Sequence, residues 1–308
     1  MATNVKIGLL VPGSFAGQPP KMDEFTGFFR RAEELGFDSL WVIDRIFHQT
    51  SIMEPLTLLT CAAAVTSRIR LGTSVLLFAL RDPILTAKAT ATLDHLSGGR
   101  LTLGISLGGR EHEFGPLGVP MNHRVGRFRE GLKVMRKLWS ESDVTFHGRY
   151  YDMEGVNVDP KPVQQPSIPV ILGGGAEAVL KRSAEEADGW VAGGGGGPED
   201  FAIAWQKVLG YARQAGKDPD LLRSAKLMYI SVGPDRAECK RQLEQFTHAY
   251  YGPQYDVERN CVFGPPDDCA AKIQSFANVG VQTVMLGPAG LGLEQLDLIA
   301  GEVIPRLG

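Results

Sequence analysis

Cysteine is scarce in this chain. Cys61, Cys239, Cys261 and Cys269 are the only four, with no CxxC spacing among them. That argues against a disulfide framework and suits reduced thiols in a cytoplasmic protein. Long apolar runs are missing too; the longest are strand-sized, so no membrane span is expected. No basic run stands out, and the net charge over 308 residues is only −3. A nucleic-acid or other polyanion-binding surface is therefore not expected. The opening "MATNVKIGLLVPGS" lacks the basic start and long apolar core of a signal peptide. Two nucleotide motifs are also absent. No GxxxxGK[ST] occurs, and the glycines of "LVPGSFAGQPP" have the wrong spacing for GxGxxG. Those absences count against an ATPase and an ordinary NAD domain.

What is present is alternation. "VKIGLLVP" (5–12) is a continuous apolar run, as expected of a strand buried on both faces. Met22 to Leu35 follows with helical spacing, its stripe being Phe25, Phe28, Phe29, Ala32 and Leu35, and Gly36 closes it. Further strands are expected at 39–43, 69–78, 101–106, 170–173, 189–192, 226–232 and 283–286. Helical runs lie between them, one of them over 267–278 just before the last strand, and Pro83 suits the first turn of one. Between 143 and 163 the rhythm pauses in a small hairpin insertion after the fourth helix, then a Pro-rich extended connector. Eight strand–helix units with no break in composition favour a single α/β domain over 1–308, a closed (β/α)8 TIM barrel. An open doubly wound sheet is the weaker alternative.

Two glycine clusters sit just past neighbouring strands: Gly173 to Gly175, and Gly193 to Gly197 with Gly195 at its centre. In a barrel the chemistry gathers at the C-terminal strand ends, and phosphates often bind at late loops. Bare backbone at Gly174, Gly175 and Ala176, leading into a helix N-terminus, makes a phosphate cradle. The five-glycine run would form the adjoining wall. Tight turns after strands are the competing explanation.

Several stretches together resemble the luciferase-like monooxygenase superfamily of FMN- and coenzyme F420-dependent oxidoreductases. They are "AEELGFDSLWVIDR" (32–45), "SRIRLGTSVLLFALRDPILTAKATATLDHLSGGRLTLGIS" (67–106), "EFGPLGVPMNHRVGRFREGLKVMRKLW" (113–139), "VTFHGRYYDMEGVNVDPKPVQQPSIPVILGGG" (144–175), "AEEADGWV" (184–191) and "FGPPDDCAAKIQSFANVGVQTVML" (263–286). The resemblance implies a barrel holding a flavin-like ring at the strand ends, usually in a homodimer. It implies a non-proline cis peptide at Ser74–Val75, lying against the ring. Ser106 and Gly108 would face the ring edge, and Arg124 would stand near the cofactor phosphate, with Arg127 one turn on. Gly174, Gly175 and Ala176 match the family's phosphate loop.

Where F420-dependent alcohol and sugar dehydrogenases of the family tend to carry Asp–His after the second strand, this chain has Asp44–Arg45. Some of them also have a glutamate where Gly109 stands. His48 is a candidate to handle protons instead, because imidazole titrates near neutrality; a solvated loop histidine is the plainer alternative. Arg45, always charged, would bind an anionic group or balance Asp44. Glu111, His112 and Glu113 do not share one face, which weakens them as a metal cluster. His95, near a helix end, suits the helix dipole. The tyrosine-bearing segment 246–263 either covers a pocket or pads the barrel.

The expected function is that of a flavin-dependent oxidoreductase using reduced FMN and O2 on a small organic substrate, FMN being supplied by a separate reductase. Hydride transfer with F420 is the near alternative. A non-redox barrel hydrolase or lyase acting on a phosphorylated substrate is a more distant one, and a non-catalytic flavin binder another.

Overall fold

The computed structural model describes residues 5–15 and 17–308. Eight parallel strands form the central sheet: β1 (Lys6–Leu10), β2 (Ser39–Val42), β3 (Arg70–Thr73), β4 (Leu101–Ser106), β5 (Val170–Gly173), β6 (Gly189–Ala192), β7 (Arg223–Val232) and β8 (Thr283–Pro288). Each pairs in parallel with its neighbours in sequence. Val284 of β8 returns to Ile7 of β1, so the sheet closes on itself. This is the closed (β/α)8 barrel expected from the alternation. The strands read as unbroken apolar runs because their outer face meets helices while their inner face fills the barrel.

The helices are α1 (Met22–Glu34), α2 (Pro55–Val65), α3 (Pro83–Ser97), α4 (Arg124–Ser140), α5 (Glu177–Glu186), α6 (Pro198–Gln214), α7 (Arg236–Tyr251), α8 (Pro266–Ala277) and α9 (Leu293–Leu298). Local chemistry sets their ends. Asp82 accepts from the Ile84 and Leu85 amides at the start of α3, Pro83 occupies the first turn, and Gly98 closes the helix at φ +65°. On α1 the side chains of Phe25, Phe28, Phe29 and Ala32 are buried against the barrel. Each such phenylalanine contributes about 1.5–3 kcal/mol relative to exposure.

Two longer helices lie between β7 and β8, with a single helical turn, Val257–Asn260, between them. Of these, α8 packs against α6 and the C-terminal segment and completes the outer ring. The other, α7, packs over the barrel interior: its Cys239, Leu243 and Tyr250 join Leu10, Ile43, Leu227 and Tyr229 in one apolar cluster. Between α4 and β5, Val144–His147 and Asp152–Val156 pair as an antiparallel hairpin.

Inside the barrel the Trp41 indole fills the middle layer. A Cβ on Gly72 would lie 2.4 Å from two carbons of that ring, so the strand beside it has no room for a side chain. Trp41 donates to the Ser39 hydroxyl at 2.8 Å and so satisfies its buried N–H. This layer divides the interior into a mouth at the C-terminal strand ends and a floor at the N-terminal ends.

Candidate active site

The mouth is a cavity of about 550 Å³. Its wall is built from the ends of five successive strands: Ile43 to Arg45, Ser74 and Val75, Ser106 to Gly109, Gly173 to Ala176, and Gly193 with Gly194. Arg124, Val179 and Arg182 extend the wall, and Tyr250 and Tyr251 of α7 close it. Volume and position suit a small-molecule or cofactor site. A larger cavity, about 750 Å³, lies at the opposite end of the barrel, away from all these loops.

Most of the residues singled out from sequence meet here: Asp44, Arg45, Ser74, Val75, Ser106, Gly108, Arg124, Gly174, Gly175 and Ala176 all line the mouth. The Ser74–Val75 peptide is cis. Val75 projects toward β5, where a Cβ on Gly173 would come within 2.8 Å of its methyl group. The Ser106 hydroxyl accepts from the Gly108 amide at 3.3 Å and shapes the turn after β4. Gly174 has φ +133°, open to glycine and strained for other residues. Past it, a Cβ on Gly175 would meet nothing within 4 Å, which leaves bare backbone in front of α5.

Beside that backbone stands an arginine that sequence reading passed over. Arg182 of α5 is only 9% exposed, and its Nη1 is buried without a hydrogen-bond partner. Burial lowers its pKa; the charge of Glu186 opposes this and that of Arg129 adds to it. Nη1 itself is closed off, while other atoms of Arg182 line the cavity, and an anion bound there would offset the cost of burying the charge. Arg124 sits at the start of α4 and uses Nη1 to donate to the Met121 carbonyl at 3.1 Å. Arg127 turns away, with its guanidinium 5.2 Å over the Tyr151 ring.

The pair after β2 divides its work. Asp44 is 4% exposed and accepts from the Leu77 amide at 2.9 Å and from Arg81 at 3.0 Å. Burial raises its pKa despite the Arg81 charge. Arg45 pairs with the fully buried Glu113 at 3.3 Å and hydrogen-bonds Tyr250. Burial opposes the Arg45 charge, but Tyr250 and Glu113 together outweigh it. Arg45 Nε and Glu113 Oε1 remain without partners.

His48 and Gly195 fall outside this wall. The His48 ring stacks on Tyr250 with centroids 4.9 Å apart. Its Nδ1 accepts from the Thr50 amide at 3.2 Å, and burial with the nearby charges of Arg110 and Arg45 lowers its pKa. Gly195 faces a neighbouring cleft, and its carbonyl accepts from Lys226 at 2.7 Å. Lys226 is a second residue that sequence reading passed over. It lies on β7, buried, and holds the Gly193 carbonyl as well. His95 lies elsewhere, bonding the Lys161 carbonyl of the Pro-rich connector at 2.6 Å.

The tyrosines of 246–263 answer the question that segment posed. The Tyr251 hydroxyl lies 2.9 Å from that of the fully buried Tyr229, and its ring stacks on Tyr255 at 4.6 Å. Tyr255 in turn donates to the Gly194 carbonyl at 2.5 Å. Burial raises the pKa of Tyr251 and Tyr255, so both phenols stay protonated at neutral pH. The mouth thus offers cationic and amide donors on one side and the neutral Tyr251 phenol on the other. Among the described residues no group of three or more His, Cys, Asp or Glu converges as for a metal, and no helix is long and apolar enough to cross a membrane.

Comparison with known proteins agrees with this geometry. A family model described as luciferase-like monooxygenase matches residues 5–256. The uncharacterized protein Rv0953c of Mycobacterium tuberculosis is 44% identical over 140 residues, which is 45% of this chain and 49% of that relative. The match therefore spans about half the length of that relative. An F420-dependent glucose-6-phosphate dehydrogenase of Amycolatopsis mediterranei is 27% identical, with 90% of this chain and 92% of the relative aligned. The crystal structure of monooxygenase RslO1 from Streptomyces bottropensis superposes with a TM-score of 0.88 at 23% identity, over 99% of this chain and 100% of that one.

Proposed function

Because this chain belongs to the luciferase-like monooxygenase family, and is thus an oxidoreductase, we propose that its mouth binds a flavin-type cofactor, with coenzyme F420 as the favoured form. One observation carries the binding mode: the partnerless Arg182 nitrogen beside the bare backbone of Gly174 to Ala176. A phosphate on the cofactor would meet Arg182, Arg124, these amides and the N-terminal end of α5. The ring would lie against Val75, near Ser106 and Gly108. Preference for F420 rests on one relative that aligns over nine-tenths of both chains and whose name specifies that cofactor.

When bound, F420 supplies hydride-transfer chemistry. The chain's own residues would bind, orient and donate hydrogen bonds. Tyr250 and Tyr251 close the mouth and limit water. Tyr251 keeps its proton and donates a hydrogen bond to a carbonyl or alcohol oxygen, where negative charge develops in a hydride transfer. Arg45, held by Glu113 and Tyr250, presents a fixed positive charge on the same side. Asp44 is engaged by Arg81 and the Leu77 amide, so its role is to hold the loop in place. His48 acts only through Tyr250, by packing.

Absorbance of F420 is followed with a panel of alcohols, ketones and sugar phosphates, and reduced FMN is tried with O2 in parallel. Substrate-dependent oxidation or reduction of F420 is the expected result. Turnover with FMN and O2 alone would replace this reading with the monooxygenase one, and a homodimer or a separate flavin reductase would then be sought. Inactivity with both overturns the redox proposal.

A further inference from the structure

The floor of the barrel carries a feature unrelated to the mouth. Its cavity of about 750 Å³ is roofed by Trp41, Ile171 and Ala225, so the middle layer seals it from the cofactor end. Three cations stand in its wall: Lys6 at the start of β1, Arg70 at the start of β3 and Arg223 at the start of β7. Strand starts at this end serve stability in most barrels, and their inward positions are filled by apolar side chains. Here charge replaces apolar filling at three of the eight strands.

Asp38 and Asp220 also border the cavity, yet among the described residues no carboxylate lies within 4.0 Å of Lys6, Arg70 or Arg223. Arg70 reaches only the Thr102 hydroxyl, at 3.4 Å. Arg223 makes no side-chain hydrogen bond among the described residues. Burial lowers its pKa, repulsion from Arg70 lowers it further, and the more weakly acting charge of Asp188 opposes both. Lys6 and Arg223 are exposed and Arg70 is half-buried, so solvent weakens their mutual repulsion, and an anion held between them would relieve what remains. Other arginines of the chain, such as Arg31, Arg236 and Arg306, are paired with carboxylates. The hydroxyls of Thr102 and Thr283 add neutral donors to the same wall.

We propose that the barrel floor is a binding site for a small multivalent oxyanion, of phosphate or polycarboxylate type, held by Arg70, Arg223 and Lys6. Two guanidinium forks approaching from separate strands match the several oxygens of such an anion, and chloride would satisfy them poorly. The Trp41 roof joins this site to the layer beneath the mouth, so an occupied floor stiffens the base on which the strand ends stand. The site is independent of which redox cofactor the mouth accepts.

Thermal unfolding at constant ionic strength tests this, with pyrophosphate and citrate titrated separately. Wild type, R70Q, R223Q and R182Q are compared, R182Q removing the anion response of the mouth. A saturable rise in Tm with at least one anion is expected in wild type and in R182Q, with apparent affinity at least tenfold weaker in R70Q and R223Q. A response to pyrophosphate alone identifies a phosphoryl ligand, and one to citrate alone a carboxylate ligand. Without anion, R70Q and R223Q are expected to melt no lower than wild type, because repulsion is relieved. Should either fail to fold, R70K and R223K keep the charge and lose the fork, and several-fold weaker binding is expected. The proposal is overturned by a wild type with no saturable response, by a response lost in R182Q but kept in R70Q and R223Q, or by lysine variants that bind as tightly as wild type.

Discussion

Lys226 donates to the carbonyl of Gly193 over 2.5 Å, from a strand position only 1% exposed. The same ammonium reaches Gly195. It thereby clamps the five-glycine loop from beneath, and the wall of the mouth depends on it. The glycines leave backbone bare, and Lys226 fixes where that backbone lies.

Replacing the clamp has a predictable cost. K226M leaves both carbonyls without a donor. It should lower stability by about 1–3 kcal/mol and weaken cofactor binding several-fold. Urea unfolding and a cofactor titration measure the two effects.

The same residue sets a pH dependence. Burial pushes the Lys226 pKa down to about 8, below the roughly 10.4 of an unfolded lysine. Between these values the unfolded chain binds the extra proton, so this residue makes stability rise with pH from about 8 to about 10.4. The buried thiols Cys261 and Cys269, pushed up to about 12, work in the opposite sense over an overlapping range. The difference between wild type and K226M isolates the lysine. Wild-type stability should gain on K226M across that window, and parallel curves would contradict the assignment.

Arg45 and Glu113 form the buried pair behind the mouth. E113A leaves Arg45 without its carboxylate and should cost about 3 kcal/mol, as breaking such pairs does. A double-mutant cycle with R45M should return a favourable coupling energy. Additive single effects would show that the pair contributes nothing as a pair.

Tyr251 and His48 are separated by kinetics. Y251F keeps the stack on Tyr255 and loses the hydroxyl; kcat should fall by about 10²-fold, the lower end for losing one donor to a developing oxyanion. H48Q, behind Tyr250, should change kcat by less than threefold. The reverse ranking would return His48 to the chemistry.

The barrel was legible in the sequence because strands buried on both faces leave continuous apolar runs, and the helices between them keep a 3.6-residue stripe. Most of the mouth followed once the strand ends were located. Arg182 escaped because "LKRSAEE" reads as a solvated helix turn, and only the packed helix turns this arginine toward the cavity. Lys226 escaped because one lysine at the start of "KLMYISV" looks like a strand edge. Strand alternation places it with Met228 and Ile230 on the outer face, under α8, where no sequence rule predicts a loop clamp. His48 looked well placed by its nearness to Asp44, but the loop folds so that Tyr250 stands between it and the mouth. Loop conformation is set by such tertiary contacts, which local sequence does not encode.

Fluorescence titration of wild type and R182Q with F420 and with FMN bears most directly on the whole account. Saturable binding of at least one cofactor to wild type is expected, weakened by roughly 10- to 100-fold in R182Q, the equivalent of one charge-assisted contact of about 1.5–3 kcal/mol. Failure of both to bind, or equal affinity for the two proteins, would contradict it.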